Sequence, residues 1–110
     1  MILVAWTIKF FNEIARDELE AMPEDIRARF ERIVDLIKSK GLAQVHEPYI
    51  KHLEGKLWEM RMKGRDGIAR SIFVTASGQR VVILHTFMKK TQQTPKGALR
   101  IAQARAKEVR

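Results

Sequence analysis

The spacing of hydrophobic positions changes repeatedly along this chain, and each change marks a candidate element. "ILVAWTIKF" (Ile2 to Phe10) is rich in β-branched and aromatic residues and predicts a strand. Asn12 follows as a good N-cap, so a short helix is expected from roughly Glu13 to Ala21. Pro23 at a first helical position, with Glu24 and Asp25 in the first turn, opens a stronger helix. Its apolar residues Ile26, Phe30, Ile33, Val34 and Ile37 keep helical spacing, and Gly41 stands where a C-terminal cap belongs. "LAQVHEPYIKHLEGK" (Leu42 to Lys56) has no sustained period and contains Pro48 and Gly55, which predicts a connecting loop.

Beyond it the period becomes two. "LWEMRMK" puts Leu57, Glu59, Arg61 and Lys63 on one face and Trp58, Met60 and Met62 on the other, a half-buried strand with an unusually polar second face. "GRDG" turns the chain into "IARSIFVT", and "ASGQ" turns it into "RVVILHTF", giving a three-stranded antiparallel meander. The last of these strands is apolar on both faces, so it should be central and covered on both sides. Trp58 and Phe73 are expected in the core. Pro95 then opens a final helix, "PKGALRIAQARAKEVR", whose apolar side of Leu99, Ala102 and Ala106 is weak and predicts light docking. The order β-α-α-β-β-β-α describes a small α+β domain spanning residues 1–110.

Composition narrows the chemistry. With 110 residues and 45% hydrophobic positions the chain suits one domain with one core. The absence of cysteine removes disulfides, thiolate zinc sites and cysteine nucleophiles. The apolar N-terminus lacks a basic n-region and a small-residue cleavage site, and Lys9 interrupts it, so neither an export signal nor a membrane span is expected. Charge is divided unevenly: residues 1–50 carry 7 Lys/Arg against 9 Asp/Glu, a net −2, while residues 51–110 carry 14 against 4, a net +10. A basic half of this kind suits a polyanion such as nucleic acid, or an acidic protein, or serves solubility alone.

Several of these charges lie inside strands. Arg70 sits between apolar neighbours in "IARSIFV" and needs an acidic partner, Glu59 being one choice, or a place at the edge of a cleft. If Arg61, Arg70 and the Lys89/Lys90 pair share a sheet face, they form a basic patch suited to phosphate, with guanidinium forks and ammonium point charges. Lys89 and Lys90 read equally as a solvated strand exit, and His85 as a hydrogen-bonded core histidine. His46 and His52, without cysteine or an acidic cluster, make a poor metal site.

"KHLEGKLWEMRMK", "IARSIFV" and "VVILHTFMKKTQQTPKGALRIAQARAKE" together resemble the RelE/ParE toxin superfamily, most closely its phage-derived, HigB-like branch. The resemblance covers nearly the whole chain, and "LHTFMKKTQQTP" is its most specific part. It implies a RelE-like domain: a mainly antiparallel twisted sheet with two N-terminal helices and one C-terminal helix. It implies the toxin of a type II toxin-antitoxin pair, located in the cytoplasm. The activity implied is a metal-independent endoribonuclease that enters the ribosomal A site and cleaves mRNA, with no cofactor. In that reaction the 2′-hydroxyl attacks the adjacent phosphorus and leaves a 2′,3′-cyclic phosphate and a 5′-hydroxyl. The implied partner is a helix-turn-helix antitoxin, acidic where it touches the toxin, within a toxin-antitoxin heterotetramer.

Carried over by position, the resemblance makes Arg61, Arg70, Lys90 and His85 the catalytic candidates and Lys63, Arg65, Lys89 and Thr91 the substrate-binding ones. One departure stands out: beyond Phe87 the chain has no aromatic residue and no histidine, where many ribosome-dependent members carry one, and its single tyrosine, Tyr49, lies in the expected loop. The other reading within the same fold is a protein without nuclease activity, either a ParE-like gyrase inhibitor or an inactive RNA-binding module.

Overall fold

The computed structural model describes residues 5–90 and 93–110. Strand β1 (Thr7–Phe10) leads into α1 (Glu13–Glu20) and α2 (Glu24–Lys40), and then into four strands, β2 (Ile50–Glu54), β3 (Leu57–Gly64), β4 (Gly67–Ala76) and β5 (Arg80–Lys89). Helix α3 (Lys96–Ala106) closes the sequence of elements. All five strands form one sheet in the order β1-β5-β4-β3-β2, antiparallel throughout except that β1 lies parallel to β5.

The helix signals act as read. The Asn12 side chain accepts the Ala15 N–H at 2.8 Å, filling one of the donors that a helix N-terminus leaves open. Gly41 ends α2 at φ 85°, a conformation costly for any residue with a Cβ. Pro23 stands one position earlier than expected, at the N-cap of α2 rather than inside its first turn. The first part of the expected strand, Ile2 to Val4, lies outside the described residues; of the rest, Thr7 to Phe10 pair with β5.

The segment Leu42–Lys56 departs from the expected loop. It holds a short 3-10 turn, Leu42–Gln44, and the edge strand β2. Only Ile50 and Leu53 of β2 turn inward, and its pairing with β3 shifts between His52 and Glu54. Edge strands are half solvated and irregular, so the two-residue period never develops. The observed order is therefore β-α-α-β-β-β-β-α, one strand more than expected.

The core has two layers. Helix α2 lays Ile26, Phe30, Ile33 and Ile37 against Met60, Met62, Ala69, Phe73, Val81 and Ile83 on one face of the sheet. On the other face Ala98 and Ala102 of α3 cover Leu57, Ile72, Val74, Val82 and Leu84. Strand β5 contributes to both layers, as its two-sided apolar pattern requires, although the middle place belongs to β4. Phe73 is fully buried, but Trp58 is 39% exposed, contrary to its expected place in the core. It falls outside both buried clusters and meets the edge strand through His52, ring centroids 4.7 Å apart.

The α3 contact is small but pinned. β1 pairs with β5 only along Arg80–Ile83. Just past that point the Glu18 carboxylate of α1 accepts the Thr86 N–H at 3.3 Å, while Arg105 of α3 donates to the Leu84 carbonyl at 2.6 Å. Arg105 also forks onto both Glu18 oxygens at 3.1 and 3.2 Å. A bidentate charged clamp thus supplements the few apolar contacts of a helix that its sequence marks as lightly docked.

Candidate nucleic-acid site

The site lies on the α3 side of the sheet, beyond the area that the helix covers. Pairing of β3 with β4 sets Arg61 opposite Arg70 and Lys63 opposite Ile68; pairing of β4 with β5 sets Arg70 opposite Phe87 and Ile68 opposite Lys89. Residues directly opposite one another share a face, so Arg61 and Arg70 lie in one cross-strand row and Lys63 and Lys89 in the next. On the other side of the Arg61 row, β2 sets Lys51 opposite Glu59. Lys51 was not legible as a site residue, because a polar edge strand bracketed by Pro48 and Gly55 carries no periodic signal.

Two kinds of cation occupy this face. Arg70 is 4% exposed and Glu59 fully buried, and Arg70 Nη1 lies 3.1 Å from each Glu59 carboxylate oxygen. Thr94, on the approach to α3, accepts from Arg70 at 2.9 Å and donates to Glu59 at 3.3 Å. Arg70 therefore has the acidic partner its apolar neighbours demanded. By contrast, the side chains of Lys51, Arg61, Lys63 and Lys89 make no hydrogen bond or ion pair among the described residues. Partial desolvation, then repulsion from Arg70 and Arg61, holds the Lys89 ammonium below the usual lysine pKa, against the pull of Glu59; Lys51 adds to the repulsion. That these groups act on Lys89 shows how closely the positive charge is gathered.

Arg61 and Lys63 also border a cavity of about 400 Å³, closed by Ile68 of β4, Arg29 of α2, and Pro48 and Tyr49 before β2. The Tyr49 carbonyl accepts the Arg61 N–H at 2.8 Å, which fixes the loop against β3. Tyr49 and Arg29 thereby join the site from segments that showed no sign of belonging to it.

The remaining expected residues are dispersed. Arg65 stands at the β3–β4 turn, where its N–H donates to Asp25 Oδ2 at 2.6 Å; this bond, first among several causes, keeps the Asp25 carboxyl below its ordinary value. The turn lies so close to α2 that a Cβ on Gly64 would sit 2.7 Å from the Ile26 side chain. Lys90 is exposed just past the end of β5. His85 is mostly buried: pairing sets it opposite Ile72, in the row that Lys51 and Glu59 begin, its Nδ1 lies 2.9 Å from Glu18 Oε1, and its ring stacks on Phe87 with centroids 5.4 Å apart. Burial alone would raise the Glu18 carboxyl, but the hydrogen bonds from Arg105, His85 and Thr86 and the charge of His85 hold it below the ordinary glutamate value. Thr91 lies outside the described residues.

Residues 17–107 match the family model described as phage derived protein Gp49-like (DUF891), a span that includes every residue of the cationic face. The chain belongs to this Gp49-like family. Solved structures place the family member among RelE-like toxins in fold. The Escherichia coli toxin RelE, as an arginine-substituted mutant in the free state, superposes with a TM-score of 0.63 at 16% identity, covering 92% of this chain and 97% of that one. The archaeal RelE-RelB complex from Pyrococcus horikoshii OT3 gives a TM-score of 0.59 at 18% identity, covering 76% and 94%. No curated protein sequence matches the chain at a significant level. The mixed α+β architecture of five strands and three helices is thus a fold shared with these two RelE structures. Among the described residues of this Gp49-like protein, no helix is long and apolar enough to cross a membrane.

Proposed function

We propose that this Gp49-like protein is the toxin of a type II toxin-antitoxin pair and acts in the cytoplasm as a metal-independent, ribosome-dependent mRNA endoribonuclease. The observation that carries the reading is the set of uncommitted cations, Lys51, Arg61, Lys63 and Lys89, fixed on one rigid sheet face around the committed Arg70–Glu59 pair. Cleavage by the adjacent 2′-hydroxyl needs a proton acceptor for that hydroxyl, positive charge on the developing phosphorane and a proton donor for the leaving 5′-oxygen. Arg61 can contact the phosphorane with a planar fork, while Lys63, Lys89 and Lys90 hold the flanking phosphates. Lys89, with its lowered pKa, releases a proton to the leaving oxygen more readily than an ordinary lysine. Arg70 acts from beneath, neutralising and orienting Glu59 so that the buried carboxylate does not cancel the open cations around it. His85 acts as a positioning residue, holding α1 to β5 through Glu18.

The antitoxin RelB accompanies RelE in one of the structural neighbours; for this chain the corresponding partner is an acidic antitoxin carrying a helix-turn-helix domain, within a heterotetramer. The test is brief induction in growing cells with mapping of mRNA 5′ ends. New codon-registered ends that vanish with Arg61→Ala support the nuclease. An SOS response with intact mRNA would instead place the chain with gyrase inhibitors. If Lys89 is the donor, in vitro cleavage falls with rising pH as Lys89 deprotonates, at a lower pH than for an unperturbed lysine, and Lys89→Arg shifts that limb upward.

A further inference from the structure

We propose that the cavity between α2 and β3 is a nucleobase subsite, in which one unstacked base of a single-stranded RNA lies against Tyr49 while its phosphate meets Arg29, Arg61 and Lys63. The inference deepens the RNA-cleavage reading and rests on it for the identity of the polyanion, but its geometry stands on other residues.

The cavity measures about 400 Å³, within the range of small-ligand pockets. Its lining pairs Pro48, Tyr49 and Ile68 with three cations, and no acidic residue is among the lining residues. That division matches a nucleotide, which has a flat apolar face on one side and an anion on the other. The side chains of Arg29, Arg61 and Lys63 form no hydrogen bond or ion pair among the described residues, whereas Arg70 and Arg105 are bonded to carboxylates. Three uncommitted positive charges around one cavity repel each other, and a phosphate would relieve that repulsion.

Tyr49 is suited to stacking because it is half-buried against the α2 layer and its backbone is bonded at both groups, N–H to the His46 carbonyl at 3.0 Å and carbonyl to the Arg61 N–H at 2.8 Å. A ring held this way loses little freedom when a base docks on it. Stacking platforms of this kind tolerate any base, since every base has a π-face. The chain has no aromatic residue after Phe87, and Tyr49 brings one to the cationic face from the opposite side, by way of the sheet edge. The cavity also explains why Arg29, alone among the basic residues of α2, stands beside the strand cations.

The test measures binding of a fluorescent single-stranded RNA hexamer with 2′-O-methyl groups, which cannot be cleaved, to the purified full chain. A second hexamer carries one abasic position. Tyr49→Ala is expected to weaken the intact hexamer about tenfold and to leave the abasic one unchanged, while Tyr49→Phe binds as wild type. Arg29→Gln should lower the slope of log affinity against log salt by about 0.7, and Arg32→Gln, on the same helix but outside the cavity, should affect binding less. Equal losses for both hexamers with Tyr49→Ala, or wild-type binding by both Tyr49→Ala and Arg29→Gln, would overturn the subsite. Thermal melts of each variant separate lost binding from lost folding, and Arg29→Gln, an exposed helix position, keeps the test decisive if Tyr49→Ala unfolds. Base-independent binding together with mRNA cleavage in cells would sink the subsite and leave the nuclease standing. Base-dependent binding without cleavage would do the reverse.

Discussion

The two faces of the sheet are built from the same strands and behave differently. On the α2 face Met60, Met62, Ala69 and Phe73 meet a helix that runs seventeen residues and carries five buried side chains. On the opposite face α3 runs eleven residues and buries only Ala98 and Ala102. Beyond α3 the same face carries Glu59, Arg61, Lys63, Arg70 and Lys89, with Ile68 and Phe87 between them. A long helix pays for full coverage with many contacts; a short one leaves part of a rigid surface available for charge. Function is placed where packing ends, and the rigidity behind it comes from the fully covered face.

The comparison can be broken from its strongest side first. Phe73→Ala on the α2 face should cost about 3–5 kcal/mol by the loss of a fully buried ring and the cavity left behind, read as a lower denaturant midpoint. Arg70→Ala should cost about as much, roughly 3–5 kcal/mol, because it strands a buried Glu59 carboxylate. The double variant Glu59→Leu with Arg70→Met should recover most of that stability without restoring activity. For this reason Arg70→Ala alone is a poor probe of catalysis, since unfolding and lost chemistry give the same phenotype. If Arg70→Ala melts like wild type, the pair is not the structural element described above.

The clamp on α3 should come next. Glu18→Gln should destabilise by about 1–3 kcal/mol through weakened charged hydrogen bonds, with earlier exchange of the α3 amides. Since the Glu18 carboxyl is held below its unfolded value, the stability it adds is present above the unfolded carboxylate pKa and is lost as pH falls through the lower folded one. Wild type and Glu18→Gln should therefore converge in stability in acid, once the pH has fallen below the lowered folded pKa of Glu18. The smallest effect is expected on the open cationic half. Arg61→Ala should change stability by less than about 0.5 kcal/mol while abolishing cleavage, a separation that thermal melts and 5′-end mapping report together.

How much of this was legible in the sequence varies by element. Helix α2 declared itself through Ile26, Phe30, Ile33 and Ile37 at helical spacing, and the three-stranded meander through its alternation and its two turns, because helix and strand periods are local properties. The basic character of the second half and the need of Arg70 for an acid were equally legible, since both follow from composition and from the cost of burying a charge. Strand β2 was hidden because an edge strand is half solvated, and with it went Lys51. Trp58 misled because alternation says which face a side chain takes and says nothing about whether anything covers that face.

What the sequence determined by itself, then, is the set of local elements and the family they resemble, because both are written in residue types and short-range spacing. Only the tertiary structure decided which charges are spent and which are available. Arg70 is neutralised by Glu59, Arg105 and His85 are held by Glu18, and Arg61 and Lys63 stand open beside Arg29 and Tyr49. A charge is committed or uncommitted according to partners 11 to 87 residues away along the chain, and that separation is closed only by folding.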